Sequence, residues 1–146
     1  MKTTDFTTTI LVDNSPSEVF SAINNVREWW QGEINGSTAK LNDEFSYQME
    51  EMHFSKQKIV ESIPGKKVVW LVTESKLNFV SKKNEWTGTK IIFEISEINH
   101  QTQLRFTHLG LVPEFECYGG CSGAWGDLIE KSLYSLITTG KGKKVF

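Results

Sequence analysis

The stretch CSGAWGDLIEKSLYSLITT, Cys121 to Thr139, places Trp125, Leu128, Ile129, Leu133, Leu136 and Ile137 at helical spacing. Asp127, Glu130, Lys131 and Tyr134 fall on the opposite side. That is the period of an amphipathic helix with one buried stripe, and Gly140 supplies its C-cap. About 18 helical residues make a rod of roughly 27 Å.

Upstream of this helix the period changes from helical to alternating. Gln101 to Val112 and Thr87 to Ile98 flank an Asn99-His100 turn, and Lys56 to Ile63 and Lys67 to Glu74 flank Pro64-Gly65. Both read as β-hairpins. Glu44 to Glu51 alternates, with Phe45, Tyr47 and Met49 on one face and Ser46, Gln48 and Glu50 on the other. Lys76 to Trp86 is weakly patterned and reads as a short strand plus loop. At the start, Phe6 to Asp13 is a Thr-, Ile- and Val-rich strand. Ser15-Pro16-Ser17-Glu18 is then a capping box with proline at a position where its missing N–H costs nothing. Val19, Phe20, Ile23 and Val26 follow at helical spacing, and Arg27 to Gln31 reads as a second short helix carrying Trp29 and Trp30, ended by Gly32. Strands clustered between helices, not alternating with them, give an α+β class with the long helix packed on one face of the sheet.

Composition narrows the function classes. The 146 residues suit one domain, able to bury roughly two-thirds of the surface its unfolded chain exposes. Net charge is −2 with both signs dispersed, so no basic stripe offers itself to nucleic acid. The one basic cluster, Lys141, Lys143 and Lys144, reads as a solvated tail. No apolar run approaches the roughly 20 residues of a membrane span, and the polar start of the chain is unlike a signal peptide. A cytoplasmic location is the expectation. In a reducing compartment Cys117 and Cys121 would be thiols. Nine Phe, five Trp and three Tyr exceed what a minimal core needs, which hints at a ring-lined hollow.

The order of elements and several residues resemble the helix-grip superfamily, also called START-like or SRPBCC, which includes birch-pollen allergens and steroidogenic lipid-transfer domains. The residues that carry the likeness are Pro16, Val19, Phe20, Ala22 and Ile23, then Trp29-Trp30, then Pro64, Val69 and Trp70. They continue through Thr89-Lys90-Ile91-Ile92-Phe93 and Leu104-Arg105-Phe106-Thr107-His108 to Gly123, Trp125, Leu128 and Leu133. Within the superfamily the chain is most similar to small bacterial proteins related to the C-terminal domain of the activator of heat-shock protein 90 ATPase. The resemblance spans nearly the whole chain. It implies a curved antiparallel sheet of about six or seven strands gripping the C-terminal helix, with two short helices after the first strand. It also implies functions drawn from lipid, flavonoid or polyketide binding, cyclisation, antibiotic sequestration and co-chaperone work, because one fold hosts many functions. Full activators carry a further N-terminal domain that this chain has no room for, so direct ATPase activation is not expected.

Candidate site residues follow from inward parity. His108 shares parity with Leu104 and Phe106, beneath the helix. Three roles stay open for it: a hydrogen-bonded core residue, a ligand hydrogen-bond donor, or a general base. Ser132 lies in the centre of the helix stripe, where its hydroxyl needs a partner. The expected partner is the Leu128 carbonyl, four residues back, and the alternative is a ligand atom. Tyr47 is an amphipathic ring among apolar neighbours. Trp30, Phe45, Met49, Trp70, Val72, Phe93, Phe106, Trp125, Leu128 and Ile129 complete the expected lining of a pocket for a small apolar ligand. Pro113 to Cys121 joins the last strand to the helix, which the resemblance to helix-grip proteins implies is one mouth of that pocket. Cys117 and Cys121 read as small packing thiols, since a zinc set would need His108 and a fourth ligand such as Glu116. Glu50 and Glu51 point to opposite strand faces, and Glu114 and Glu116 read as solvated loop carboxylates. No Ser-His-Asp, phosphate-loop or His-rich metal motif is visible. The expectation is non-catalytic binding without a cofactor. The rivals are a cyclase or isomerase using His108 as base, and an interaction module with a chaperone or homodimer contact.

Overall fold

A computed structural model describes residues 6–30, 33–49, 53–77, 86–110 and 118–142, with side chains described from 121 onward in the last segment. Strand β1 (Phe6–Val12) is followed by helices α1 (Pro16–Asn24) and α2 (Val26–Trp29). Six strands follow: β2 (Glu33–Gly36), β3 (Glu44–Met49), β4 (His53–Ile63), β5 (Lys67–Leu77), β6 (Lys90–Ile98) and β7 (Gln101–Leu109). Together the strands form one seven-stranded antiparallel sheet in the order β1-β7-β6-β5-β4-β3-β2. The two short helices carry the chain from one edge of the sheet to the other. The last rod consists of α3 (Tyr118–Asp127), a π-helical segment (Leu128–Leu133) and α4 (Tyr134–Thr139).

Local chemistry accounts for the boundaries. The Ser15 hydroxyl accepts from the Glu18 amide at 3.2 Å while the Glu18 carboxylate accepts from the Ser15 amide at 3.0 Å, so the capping box is closed in both directions. Asn99 and His100 adopt φ of 50° and 68° between paired Ile98 and Gln101. Left-handed φ at both turn residues matches the right-handed twist of the flanking strands. Gly65, at φ 71°, turns β4 into β5.

Several expected boundaries move. Trp30 does not belong to α2; it caps the helix in an extended conformation at φ −102°, ψ 135°. β4 begins three residues earlier than its apolar pattern suggests, and β6 begins at Lys90, not Thr87. β5 runs on to Leu77, because a bulge places both Thr73 and Glu74 on the exposed side and breaks the alternation. A second irregularity lies between Ile59 and Glu61 on β4. Both bend this central pair and add to the curvature of the sheet.

The π segment has a geometric reason. Leu128, Ser132 and Leu136 form one buried row, and Ile129, Leu133 and Ile137 a second. Residues four apart drift by about 40° per step on an ideal α-helix. A π turn holds more residues than an α turn, so it cancels the drift and keeps both rows against the sheet.

Candidate functional site

The curved sheet and the C-terminal rod enclose a hydrophobic cavity. Trp30, delivered by the extended cap of α2, sits at its centre. Its ring stacks on Tyr47 at 4.4 Å and 14°, on Trp70 at 5.9 Å and 10°, and on Trp29 at 6.0 Å and 10°. Trp125 of the rod approaches it at 5.3 Å and Phe45 of β3 at 6.5 Å. The cluster continues from Trp70 to Phe93 at 4.9 Å, to Phe106 at 5.3 Å, and back to Trp125 at 4.6 Å. These are contact distances for aromatic pairs, so a molecule reaching the centre must part rings that touch one another.

Of the residues expected to line the cavity, Trp30, Phe45, Tyr47, Trp70, Val72, Phe93, Phe106, His108, Trp125, Leu128, Ile129 and Ser132 are all buried. Met49 is half-buried and packs against the same core. Cys121 is a buried free thiol, while Cys117, Glu50, Glu51, Glu114, Glu116, Lys143 and Lys144 lie outside the described residues. Among the described residues no group of three or more His, Cys, Asp or Glu side chains could hold a metal ion. No described helix is long and apolar enough to cross a membrane.

His108 is wholly buried, and protein atoms take both of its nitrogens. The Trp125 indole donates to Nδ1 at 3.0 Å, and Nε2 lies 2.8 Å from the Thr89 hydroxyl. An indole can only donate, so Nδ1 must be an unprotonated acceptor and Nε2 carries the hydrogen. Nε2 then donates to Thr89, whose own hydroxyl donates to the Trp86 carbonyl at 2.6 Å. Burial pulls the His108 pKa down to about 3, helped by the nearby His53. The imidazole is therefore neutral and held in one tautomer.

The Ser132 hydroxyl has a partner outside its own helix. It donates to the carbonyl of Trp29 at 2.6 Å. That carbonyl sits at the end of α2, where backbone acceptors lack helical partners. The bond ties the rod to the segment that presents Trp30.

A polar strip on β4 is absent from the sequence reading. Ser55 and Gln57 are wholly buried and share inward parity with Ile59. The Gln57 side-chain amide donates to the Ser55 hydroxyl at 2.6 Å, which lies 3.1 Å from Nε2 of His53. Burial lowers the His53 pKa to about 4 and pushes the Tyr47 phenol well above its ordinary value. The His53 ring packs edge-on to Tyr47 at 5.2 Å and to Trp86 at 4.7 Å, and Trp86 reaches His108 at 4.7 Å. Three buried polar atoms around this strip have no hydrogen-bond partner among the described residues: Gln57 Oε1, Trp70 Nε1 and Trp86 Nε1. Gln57 and Ile59 share strand parity, and Ser55 and His53 extend that row beyond the Lys56 start that the apolar pattern suggests.

Seven antiparallel strands, two short helices after the first, and a long final helix laid across the curved face decide the architecture. This is the helix-grip fold. Solved structures of the same fold include the Aha1 dimer from Colwellia psychrerythraea, 24% identical over 95% of this chain and 99% of that one, with a TM-score of 0.73. Protein Mll3558 from Rhizobium loti is 13% identical over 93% of this chain and 97% of that one, with a TM-score of 0.71. DynU16, from the dynemicin biosynthetic locus, is 13% identical over 97% of this chain but only 51% of its own, with a TM-score of 0.66. At these identities the likeness establishes the helix-grip fold. No family model matches the sequence, and no curated protein is similar to it in sequence.

Proposed function

We propose that this helix-grip domain binds a small, mostly apolar, ring-bearing molecule between the sheet and the C-terminal rod, without transforming it. The observation that carries the reading is the set of five rings gathered round Trp30, contributed by α2, β3, β5 and the rod. A flat apolar guest would part these rings and take the place of their mutual contacts, and each ring has only two side-chain torsions to reorder. Area removed from water supplies the affinity, at about 25 cal/mol per Å².

In this reading Trp30, Phe45, Tyr47, Trp70 and Trp125 form the contact surface, with Met49 at its margin and Val72, Phe93, Phe106, Leu128 and Ile129 behind it. His108 orients Trp125, and Ser132 fixes the backbone that carries Trp30. A general base needs a lone pair, and the one on His108 Nδ1 is already bonded to the Trp125 indole, which favours binding over catalysis.

The test is titration of intrinsic fluorescence with a broad set of flavonoids, polyketide-like aromatics and fatty acids. Saturable quenching with affinity near micromolar, about 8 kcal/mol, is expected for at least one ring-bearing class. Failure of every class to saturate the signal would refute the proposal.

A further inference from the structure

Buried polar atoms in folded proteins are nearly always paired, and each exception calls for an explanation. Among the described residues the exceptions are Asn24 Oδ1, Gln57 Oε1, Trp70 Nε1 and Trp86 Nε1, and two of them, on Gln57 and Trp86, sit at the two ends of one run through Ser55 and His53. Gln57 is flanked across the sheet by Phe45 and Val72, both of the inward face. Trp86 lies against His53, at the far end of the hydrogen-bonded run from Gln57 through Ser55. We propose that Gln57 and the Trp86 indole are the polar anchor of the cavity, and that they select an uncharged ring compound carrying a hydroxyl or carbonyl group. This inference rests on the binding function proposed above and adds the chemistry that decides which guests are preferred.

Two arguments set the ligand class. The first is the reversibility of the run. With Gln57 donating to Ser55 and Ser55 donating to His53, the amide leaves its carbonyl oxygen unpaired. Rotating the amide by half a turn and moving the His53 hydrogen to Nε2 reverses both bonds and presents the NH₂ instead. Both arrangements keep two hydrogen bonds, so Gln57 can meet a donor or an acceptor, while the Trp86 N–H can only meet an acceptor.

The second argument is charge. The buried polar side chains among the described residues are Thr38, Ser55, Gln57, Ser75, Thr89, Thr102, His108 and Ser132, with no Lys, Arg, Asp or Glu. His53 and His108 are both held neutral by burial. A carboxylate would enter without a countercharge, and burying an unpaired charge is far more costly than burying a hydroxyl. The anchor therefore excludes fatty acids and other anions as it accepts phenols and ketones.

The experiment compares four probes with one ring system: naphthalene, naphthol, acetonaphthone and naphthoate, each titrated into the purified protein. Naphthol and acetonaphthone should bind roughly tenfold more tightly than naphthalene, the gain expected when a hydrogen bond satisfies a buried partnerless group. Naphthoate should bind at least about tenfold more weakly than naphthol. Gln57→Met keeps the volume and removes the amide. It should lower the naphthol-to-naphthalene ratio several-fold. Trp86→Phe should lower the same ratio without abolishing naphthalene binding. If naphthalene binds but naphthol and acetonaphthone gain nothing, or naphthoate equals naphthol, the anchor is refuted and the apolar binding function stands. A preference that survives both substitutions also refutes the anchor. If none of the four binds, the binding function fails and takes the anchor with it.

Discussion

Lowering the pH from about 7 to about 5 should remove a large part of this protein's stability, through two histidines. His108 and His53 have folded-state pKa values of about 3 and about 4, against 6.5 for an unperturbed imidazole. Both folded values lie below the unfolded one, so the unfolded chain binds more protons throughout the interval. The stabilising effect of keeping them neutral is fully present above about pH 6.5 and is lost progressively as pH falls toward the folded values. At full slope each site costs ~1.4 kcal/mol per pH unit. Between about pH 7 and about pH 5 the two sites together remove roughly 4 kcal/mol, comparable with the whole stability of a marginal domain at about 5 kcal/mol. The loss has a visible structural route. A proton on His108 Nδ1 would face the Trp125 indole N–H, turning a hydrogen bond into two opposed donors. Urea denaturation followed by tryptophan fluorescence at a series of pH values measures the slope directly. His108→Gln offers Trp125 an acceptor and Thr89 a donor without titrating, so it should halve the slope. A flat stability profile, or a slope unchanged by His108→Gln, would refute the assignment of a buried neutral imidazole.

Three other outcomes are expected. Ser132→Ala leaves the Trp29 carbonyl without its 2.6 Å donor and should cost about 1–3 kcal/mol in urea denaturation; a cost near zero would mean that the bond does not hold the rod to α2. Trp30→Ala removes the ring that touches five others and should cost about 3–5 kcal/mol, read from the thermal midpoint. His100→Gly should stabilise the β6–β7 hairpin by up to about 1 kcal/mol, because φ of 68° is strained for histidine and ordinary for glycine; a lower midpoint would contradict it.

The fold was legible where one period held over a whole element. The capping box at Ser15, the Asn99-His100 turn and the rod from Cys121 to Thr139 each depend on near neighbours in sequence, and the structure has all three. The rod's π segment was not legible, because rows four residues apart look like slightly irregular α-helical spacing until the sheet they face is known. The end of β5 was lost for a related reason, since the bulge at Thr73 and Glu74 inserts an extra residue and inverts the parity beyond it. β2 has four residues and only Ile34 even half-buried, too little alternation to read. The apolar lining was legible through parity alone. The polar strip of His53, Ser55 and Gln57 was not, because hydrophilic residues on an inward face look like an exposed strand until burial is known.

The strand order has a consequence for how this chain reaches its final state. β3 through β7 form a meander in which each strand pairs with its neighbour in sequence, so those contacts close short loops. β1 instead pairs with β7, with Phe6 opposite His108 and Val12 opposite Thr102. The Thr7 hydroxyl bonds the Phe106 carbonyl across 99 positions of chain. The first strand made is therefore the last that can be paired, and on a ribosome it waits while roughly 5–20 residues are added each second. During that wait its backbone groups are open to any other extended segment. Its outward Thr7 and Thr9 limit the apolar surface on offer, and hydrogen-exchange labelling during refolding should show β1 amides protected after those of β4 and β5.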